Sequence, residues 1–260
     1  MIITLLSDLG TKDATVAISK ATLLRLVAGA TIVDLSHHVA RANWHEAAYM
    51  LRGVYSSFPL GTVHIAAVAP FADPHPRMVM AEQNGHFFIS ADNGLLPAVL
   101  QPAAASTARL YQRYTKPYLL QNWMADAGTL INALVQGGEL PSTGFSIATY
   151  PALPAPQVTP INTVCRVLYA DRYQNVVVNI REEEFYEITN GKPFRIKTMK
   201  GRTINSVSRH YTDVATGEPL CRFNRSGYLE IAVNHGSARE FLGFPADDND
   251  IEYQNVRIYV

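Results

Sequence analysis

The chain has 260 residues, 48% of them hydrophobic and 17% charged, which is the balance of a globular protein and not of a disordered one. Lys plus Arg total 22 and Asp plus Glu total 22, so the formal net charge is zero. That balance excludes a strongly basic nucleic-acid footprint and a polybasic membrane clamp as leading functions. Ile2–Ser7 is a short apolar run ending in Asp8-Leu9-Gly10 and reads as a buried strand entering a loop. It has neither the basic start nor the helical spacing of a secretory signal, and no run approaches the ~18 apolar residues of a spanning helix. Over Ala14–Ala28 the stripe Val16, Ile18, Ala21, Leu24 and Val27 predicts a helix ending near Gly29. Thr31–Leu35 reads as a second strand, and Asn43 as the cap of a helix running towards Ser57. Val63–Val68 is a third strand. Asn84-Gly85, between Met78–Glu82 and His86–Ser90, suits the two-residue turn of a hairpin. A short helix over Leu95–Leu100, a strand over Ala108–Tyr111 and a helix over Asp126–Gln136 complete this half. Strands separated by helices imply a mixed, partly parallel sheet with helices on both faces.

Beyond Glu139 the pattern changes. Pro141, Pro151, Pro154, Pro156 and Pro160 mark a stiff, extended stretch. After it, short strand signals dominate: Thr163–Tyr169, Asn175–Ile180, Phe194–Lys197, Thr203–Ser206, Tyr228–Ala232 and Val256–Val260. The expected organisation is an α/β domain over residues 1–143, a proline-rich linker over 144–160, and a smaller all-β, barrel-like domain over 161–260.

Motifs for common chemistries are missing. His45-Glu46-Ala47-Ala48-Tyr49 begins like a zinc-protease helix but lacks its second histidine. There is no Walker loop, no G-x-G-x-x-G and no G-x-S-x-G elbow. Cys165 and Cys221 stand far apart with no C-x-x-C partner, which fits a reduced, cytoplasmic setting and not a zinc site. His37-His38 would point to opposite faces of a strand, so no metal is expected there. What remains is polar residues at strand ends, where open α/β sheets bind ligands. Asp8 could accept from both hydroxyls of a sugar diol, or it could cap the helix beginning near Lys12–Ala14. Asp171-Arg172-Tyr173-Gln174-Asn175 offers a carboxylate for an ammonium, a ring for stacking and an amide for a base edge; it also suits an ordinary turn.

Together these blocks resemble the family of S-adenosylmethionine hydroxide adenosyltransferases, relatives of the fluorinase and chlorinase. The resemblance is carried by Thr4–Asp13, Ile32–His37 with Glu46-Ala47-Ala48, Phe58–His64, Asp92–Leu96, Asp171–Ile180, and Asn224 with Gly227–Asn234, in the family's order along nearly the whole chain. It implies an α/β domain followed by a β-barrel, a homotrimer with sites between adjacent subunits, and S-adenosylmethionine as substrate or ligand, with no separate cofactor. By residue, Asp8 would bind the ribose hydroxyls, Asp171 the methionine ammonium, Tyr173 the adenine face and Asn175 the adenine edge. Ser226 would take the carboxylate, although the family's serine falls one place earlier, on Arg225.

The positions that act in the family's hydrolases depart from its pattern. The Asp of the family's D-P-G-V-G loop falls on Ala69, its Arg on Pro76, and the His of its F-H-G-R-D block on Trp123. None of these three can take a proton from water or pair with the charge that forms. The nearby Ala69, Phe71 and Ala72 also lack the hydroxyls of the halogenase sites. Asp73, His75 and Arg77 stand within five residues of one another and could form a shifted set. The expected reaction is adenosyl transfer to water, giving adenosine and methionine. The alternatives are an inactive homologue that binds adenosine or S-adenosylmethionine, and a trimeric interaction module whose pocket is filled by Trp123 and Phe71.

Overall fold

Ile2–Ser7 (β1) is buried along almost its whole length because it is the inner strand of a parallel group, paired with Thr31–Ser36 (β2) on one side and Val63–Ala67 (β3) on the other. The structure is a computed structural model. It describes residues 1–73, 76–100, 109–111, 119–137, 153–197, 202–247, 250–251 and 254–260. They fall into two compact units, Met1–Ala152 and Leu153–Val260. His75, Pro141, Pro151 and the first part of the expected linker lie outside the described residues.

In the first unit β3 continues in parallel to His86–Ala91 (β5), which forms an antiparallel hairpin with Met78–Gln83 (β4). Asn84 and Gly85 turn that hairpin at φ +53° and +75°, the left-handed pair that a two-residue turn requires. Arg109–Tyr111 (β6) adds an edge, giving a six-stranded mixed sheet in the order β2-β1-β3-β5-β4-β6. Helix α1 (Thr15–Leu26) packs against α4 (Leu120–Val135), and Trp44–Val54 (α2) against Leu95–Val99 (α3). One sheet face, with Ile3, Leu5, Val63, Ile65 and Ile89, shares a core with Leu23 of α1, Val27 just after it, and Met124, Ala127 and Ile131 of α4. Gly128 lets the two helices approach: a Cβ there would lie 3.0 Å from the Leu26 side chain. Asn132 Nδ2 then reaches the Leu26 carbonyl at 2.6 Å. Asn43 caps α2 as expected, its side chain accepting from Glu46 N at 3.1 Å.

The opposite face carries a buried polar line. Thr4 Oγ1 and His64 Nδ1 are 2.8 Å apart, and His64 Nε2 and His86 Nδ1 are 3.2 Å apart, with Tyr55, Phe58 and Phe88 around the His64 ring. Burial, reinforced by His86, lowers the His64 pKa to about 4.

The second unit is an antiparallel, nearly closed barrel. In it Gln157–Val158 (β7) pairs with Thr163–Ala170 (β8). The main path runs Thr203–Ile204 (β11), Arg195–Lys197 (β10), Asn255–Tyr259 (β14), β8, Val176–Arg181 (β9), Tyr228–Val233 (β13) and Pro219–Phe223 (β12). A bridge from Val207 to Cys221 brings the two ends of that path together. Val176, Val178, Leu229, Ile231, Val256 and Ile258 fill the interior. Both cysteines are free and buried, and burial pushes their thiols up to about 12.

The α/β-then-barrel architecture agrees with the sequence reading, and two details correct it. The helix expected over Asp126–Gln136 begins at Leu120, because Leu120, Trp123 and Met124 continue the same apolar stripe. The barrel also holds two helices that strand patterning passed over, α5 (Glu182–Thr189) and α6 (Ala238–Leu242). Three glutamates in the first turn of α5 and Asn190 in the left-handed conformation after it were the available signals. No helix among the described residues is long and apolar enough to cross a membrane.

Candidate functional site

Strands β1, β3 and β5 run in parallel, so Asp8, Ala69 and Asp92 leave the sheet at the same edge, the carboxyl edge where such folds bind ligands. Asp8 Oδ2 accepts from Ala42 N at 3.0 Å and from Ala69 N at 3.2 Å. Both alanines are left-handed, at φ +58° and +44°, a conformation that costs a non-glycine residue roughly 1–2 kcal/mol. The strain aims two loop amides at one carboxylate oxygen. Among the described residues nothing donates to the other oxygen, Oδ1. Asp8 therefore does not cap α1; the first free amide of that helix, Thr15 N, is taken by Asp13 Oδ1 at 2.8 Å.

Beside Ala69 lies a cavity of about 280 Å³ lined by Asp73, Pro76, Arg77, Asp92 and Asn93, among others. Arg77 closes one wall through a 2.7 Å ion pair to Asp92, whose side chain is only 4% exposed, while Asp92 N donates to the Arg77 carbonyl. Asn93 ties the end of β5 to that of β3 by donating from Nδ2 to the Val68 carbonyl at 2.9 Å. Of the three positions singled out by the sequence resemblance, Ala69 and Pro76 line this cavity, together with Asp73 and Arg77. Trp123 does not: it is buried on α4 within the apolar core, and its indole nitrogen finds no partner among the described residues. Phe71 is 37% exposed. Neither ring is among the residues that line the cavity.

The second group of predicted residues sits on the β8–β9 turn. Asn175 donates to both oxygens of Asp171, from its backbone N to Oδ1 and from Nδ2 to Oδ2, each at 2.9 Å. Backbone bonds between Asp171 and Asn175 close the loop, with Gln174 at φ +65°. Tyr173 projects at the tip, 78% exposed. Ser226 is half-buried in the β12–β13 turn, where Asn224 Oδ1 accepts from its amide at 2.9 Å and from Tyr228 N at 3.2 Å.

One cluster went unnoticed in the sequence. Tyr211 donates its hydroxyl to Glu230 Oε1 at 2.7 Å, and the Arg222 guanidinium lies 4.8 Å from the Tyr211 ring centre. Burial, with the nearby Asp171 charge adding to it, raises the Glu230 pKa, and burial together with Glu230 pushes the Tyr211 hydroxyl up to about 12. A lone glutamate inside the strand Tyr228–Val233 was the only hint. In the first unit, His37 and His38 lie just past the end of β2, so strand alternation does not govern them. They still diverge: His37 is buried against Ser7 and Asp34, whereas His38 is exposed beside Thr11. No three His, Cys, Asp or Glu side chains among the described residues are placed to hold a metal ion.

Residues 3–132 match the family model of the SAM hydroxide adenosyltransferase N-terminal domain, and residues 165–249 that of its C-terminal domain. The chain is 29% identical over 255 residues to an (R)-S-adenosyl-L-methionine hydrolase of Thermus thermophilus, spanning 92% of this chain and 94% of that one. A fluorinase of an Actinoplanes species is 30% identical over 123 residues, 38% of this chain and 41% of its own. In fold, a crystal structure of an uncharacterized conserved protein from Thermotoga maritima superposes over 100% of both chains, with a TM-score of 0.78 at 24% identity. With both halves matched in order, this chain belongs to the SAM hydroxide adenosyltransferase family.

Proposed function

We propose that the protein binds S-adenosylmethionine and transfers its adenosyl group to water, giving adenosine and methionine. The oxygen of water bonds to the 5′ carbon, the carbon–sulfur bond breaks with its electron pair returning to sulfur, and one proton leaves to solvent. The observation that carries the reading is Asp8: one carboxylate oxygen is held by two loop amides and the other, with no donor among the described residues, can meet a ribose diol next to the 280 Å³ cavity. Asp171 takes the ammonium, Tyr173 stacks on adenine, Asn175 offers its amide oxygen to the adenine edge, and Ser226 meets the carboxylate. The protein acts as a homotrimer in the cytoplasm, with sites at subunit interfaces and without a resident cofactor, metal or nucleic acid.

Ala69, Pro76 and Trp123 stand where the family keeps its acting groups, and Asp73, His75 and Arg77 substitute for them. Arg77 is already oriented by Asp92, which supports its role as a fixed cation at the cavity wall. The sulfonium is a good leaving group, so holding water in line accounts for part of the rate. Each missing acid–base contribution is worth ~10²–10⁴-fold, so turnover is far below that of a complete family member if the substitutes do not act. A second reading, an inactive binding homologue, is favoured by the burial of Trp123 in the core. Incubating the protein with S-adenosylmethionine, with and without chloride, and following adenosine and methionine decides between them. Release abolished in an Asp73→Ala, His75→Ala, Arg77→Ala triple variant supports the substitution. Release that survives it removes those three from the mechanism, and binding without release supports the second reading.

A further inference from the structure

Asp8 can meet a diol only if the loop that holds its other oxygen stays in place, and that loop is fastened by a buried histidine. Ser7, the last residue of β1, is fully buried, and its Oγ lies 2.8 Å from His37 Nδ1. The other ring nitrogen, Nε2, lies 3.1 Å from Asp34 Oδ1, short of an aligned hydrogen bond, and Asp34 Oδ2 is held by Lys20 at 2.6 Å. Backbone bonds run beside the ring pair: Gly10 N donates to the His37 carbonyl at 2.6 Å and Val39 N to the Ser7 carbonyl at 3.3 Å. The segment from His37 to Ala42 is therefore gripped at one end by Ser7 and ends at the amide that Asp8 accepts. Ser7 and Asp8 are adjacent, so fixing Ser7 fixes the backbone from which the Asp8 side chain projects. A nucleophilic Ser–His–Asp reading does not fit, because Ser7 is inaccessible.

We infer that His37, through Ser7, is a positioning residue for Asp8, clamping the loop after β2 to the end of β1 so that Asp8 Oδ1 is presented to the ribose diol. The inference rests on the reading that Asp8 takes that diol. It does not depend on whether the protein turns over.

The test is calorimetry with adenosine and with 2′,3′-dideoxyadenosine, which lacks the diol. The wild type binds adenosine more tightly. Ser7→Ala, which removes a single oxygen, weakens adenosine about fivefold to tenfold, the scale of one misplaced hydrogen bond, and leaves dideoxyadenosine within about twofold. His37→Ala does the same, and in an Asp8→Ala background Ser7→Ala has no further effect. Equal weakening of both nucleosides makes the pair merely structural and overturns the inference, as does unchanged adenosine binding by Ser7→Ala. A wild type that does not distinguish the two nucleosides overturns the Asp8 reading itself, and one that binds neither overturns the proposed function.

Discussion

The two candidate carboxylates are held in opposite ways. Asp171 is satisfied within its own turn, by a residue four positions on. Asp8 takes its two amides from residues 34 and 61 positions away, both on strained alanines at the ends of other elements. A local carboxylate survives as long as its hairpin does. A tertiary one is only as well placed as the packing that brings three loops to one point, so the first unit is where function is most easily broken without unfolding the chain.

The largest effect expected from this contrast is a difference in acid response. In the first unit His64 has a pKa of about 4 against an ordinary 6.5. Between those values the unfolded chain binds a proton that the folded one refuses, so stability falls as pH drops from 6.5 to 4, by up to about 3 kcal/mol. In the barrel Glu230 has the opposite sense: its raised pKa lets the folded state keep a proton that the unfolded chain has shed, so stability falls as pH rises above 4.5. Both tryptophans, Trp44 and Trp123, lie in the first unit, so their fluorescence reports its melting alone. The tryptophan-detected Tm should drop on acidification, and His64→Gln should flatten that drop. An unchanged slope in the variant would remove His64 as the cause.

Substitution of the two carboxylates sharpens the comparison. Asp8→Ala should weaken adenosine and S-adenosylmethionine alike by about ten- to a hundredfold, the scale of a lost charged acceptor worth about 1.5–3 kcal/mol. Asp171→Asn keeps the turn but loses the charge, so S-adenosylmethionine should weaken about tenfold while adenosine changes by less than about threefold. Calorimetry on the two ligands checks both; the same ligand profile in the two variants would erase the distinction. The smallest effect is at the hairpin tip. Tyr173→Ala should leave stability within about 0.5 kcal/mol, because the ring is exposed, yet weaken adenosine about fivefold through lost stacking. Unaltered adenosine affinity would take Tyr173 out of the site.

Much of the secondary structure was legible because its signals are local. Apolar runs gave β1 and β3, Asn84-Gly85 gave the β4–β5 turn, and Asn43 gave the start of α2. The start of α4 lies outside the window Asp126–Gln136 because the apolar stripe continues back through Met124 and Trp123 to Leu120. Helix α5 was passed over because it is short and stands between strands. Of the site, the Asp171–Asn175 turn could be read directly, since residues four apart can satisfy each other without the rest of the fold.

By itself the sequence determined the order of α/β domain and barrel, the turns, and the family to which the chain belongs, because hydrophobic period, turn chemistry and motif order are properties of neighbouring residues. Only the tertiary structure decided which amides Asp8 accepts, that Trp123 lies in the core instead of on the cavity, that Arg77 is paired to Asp92, and that His37 grips Ser7. Each of those contacts joins residues 15 or more positions apart or depends on which face of a helix is buried. Separation along the chain carries no record of such pairings; they arise when parallel strands bring their ends to a common edge.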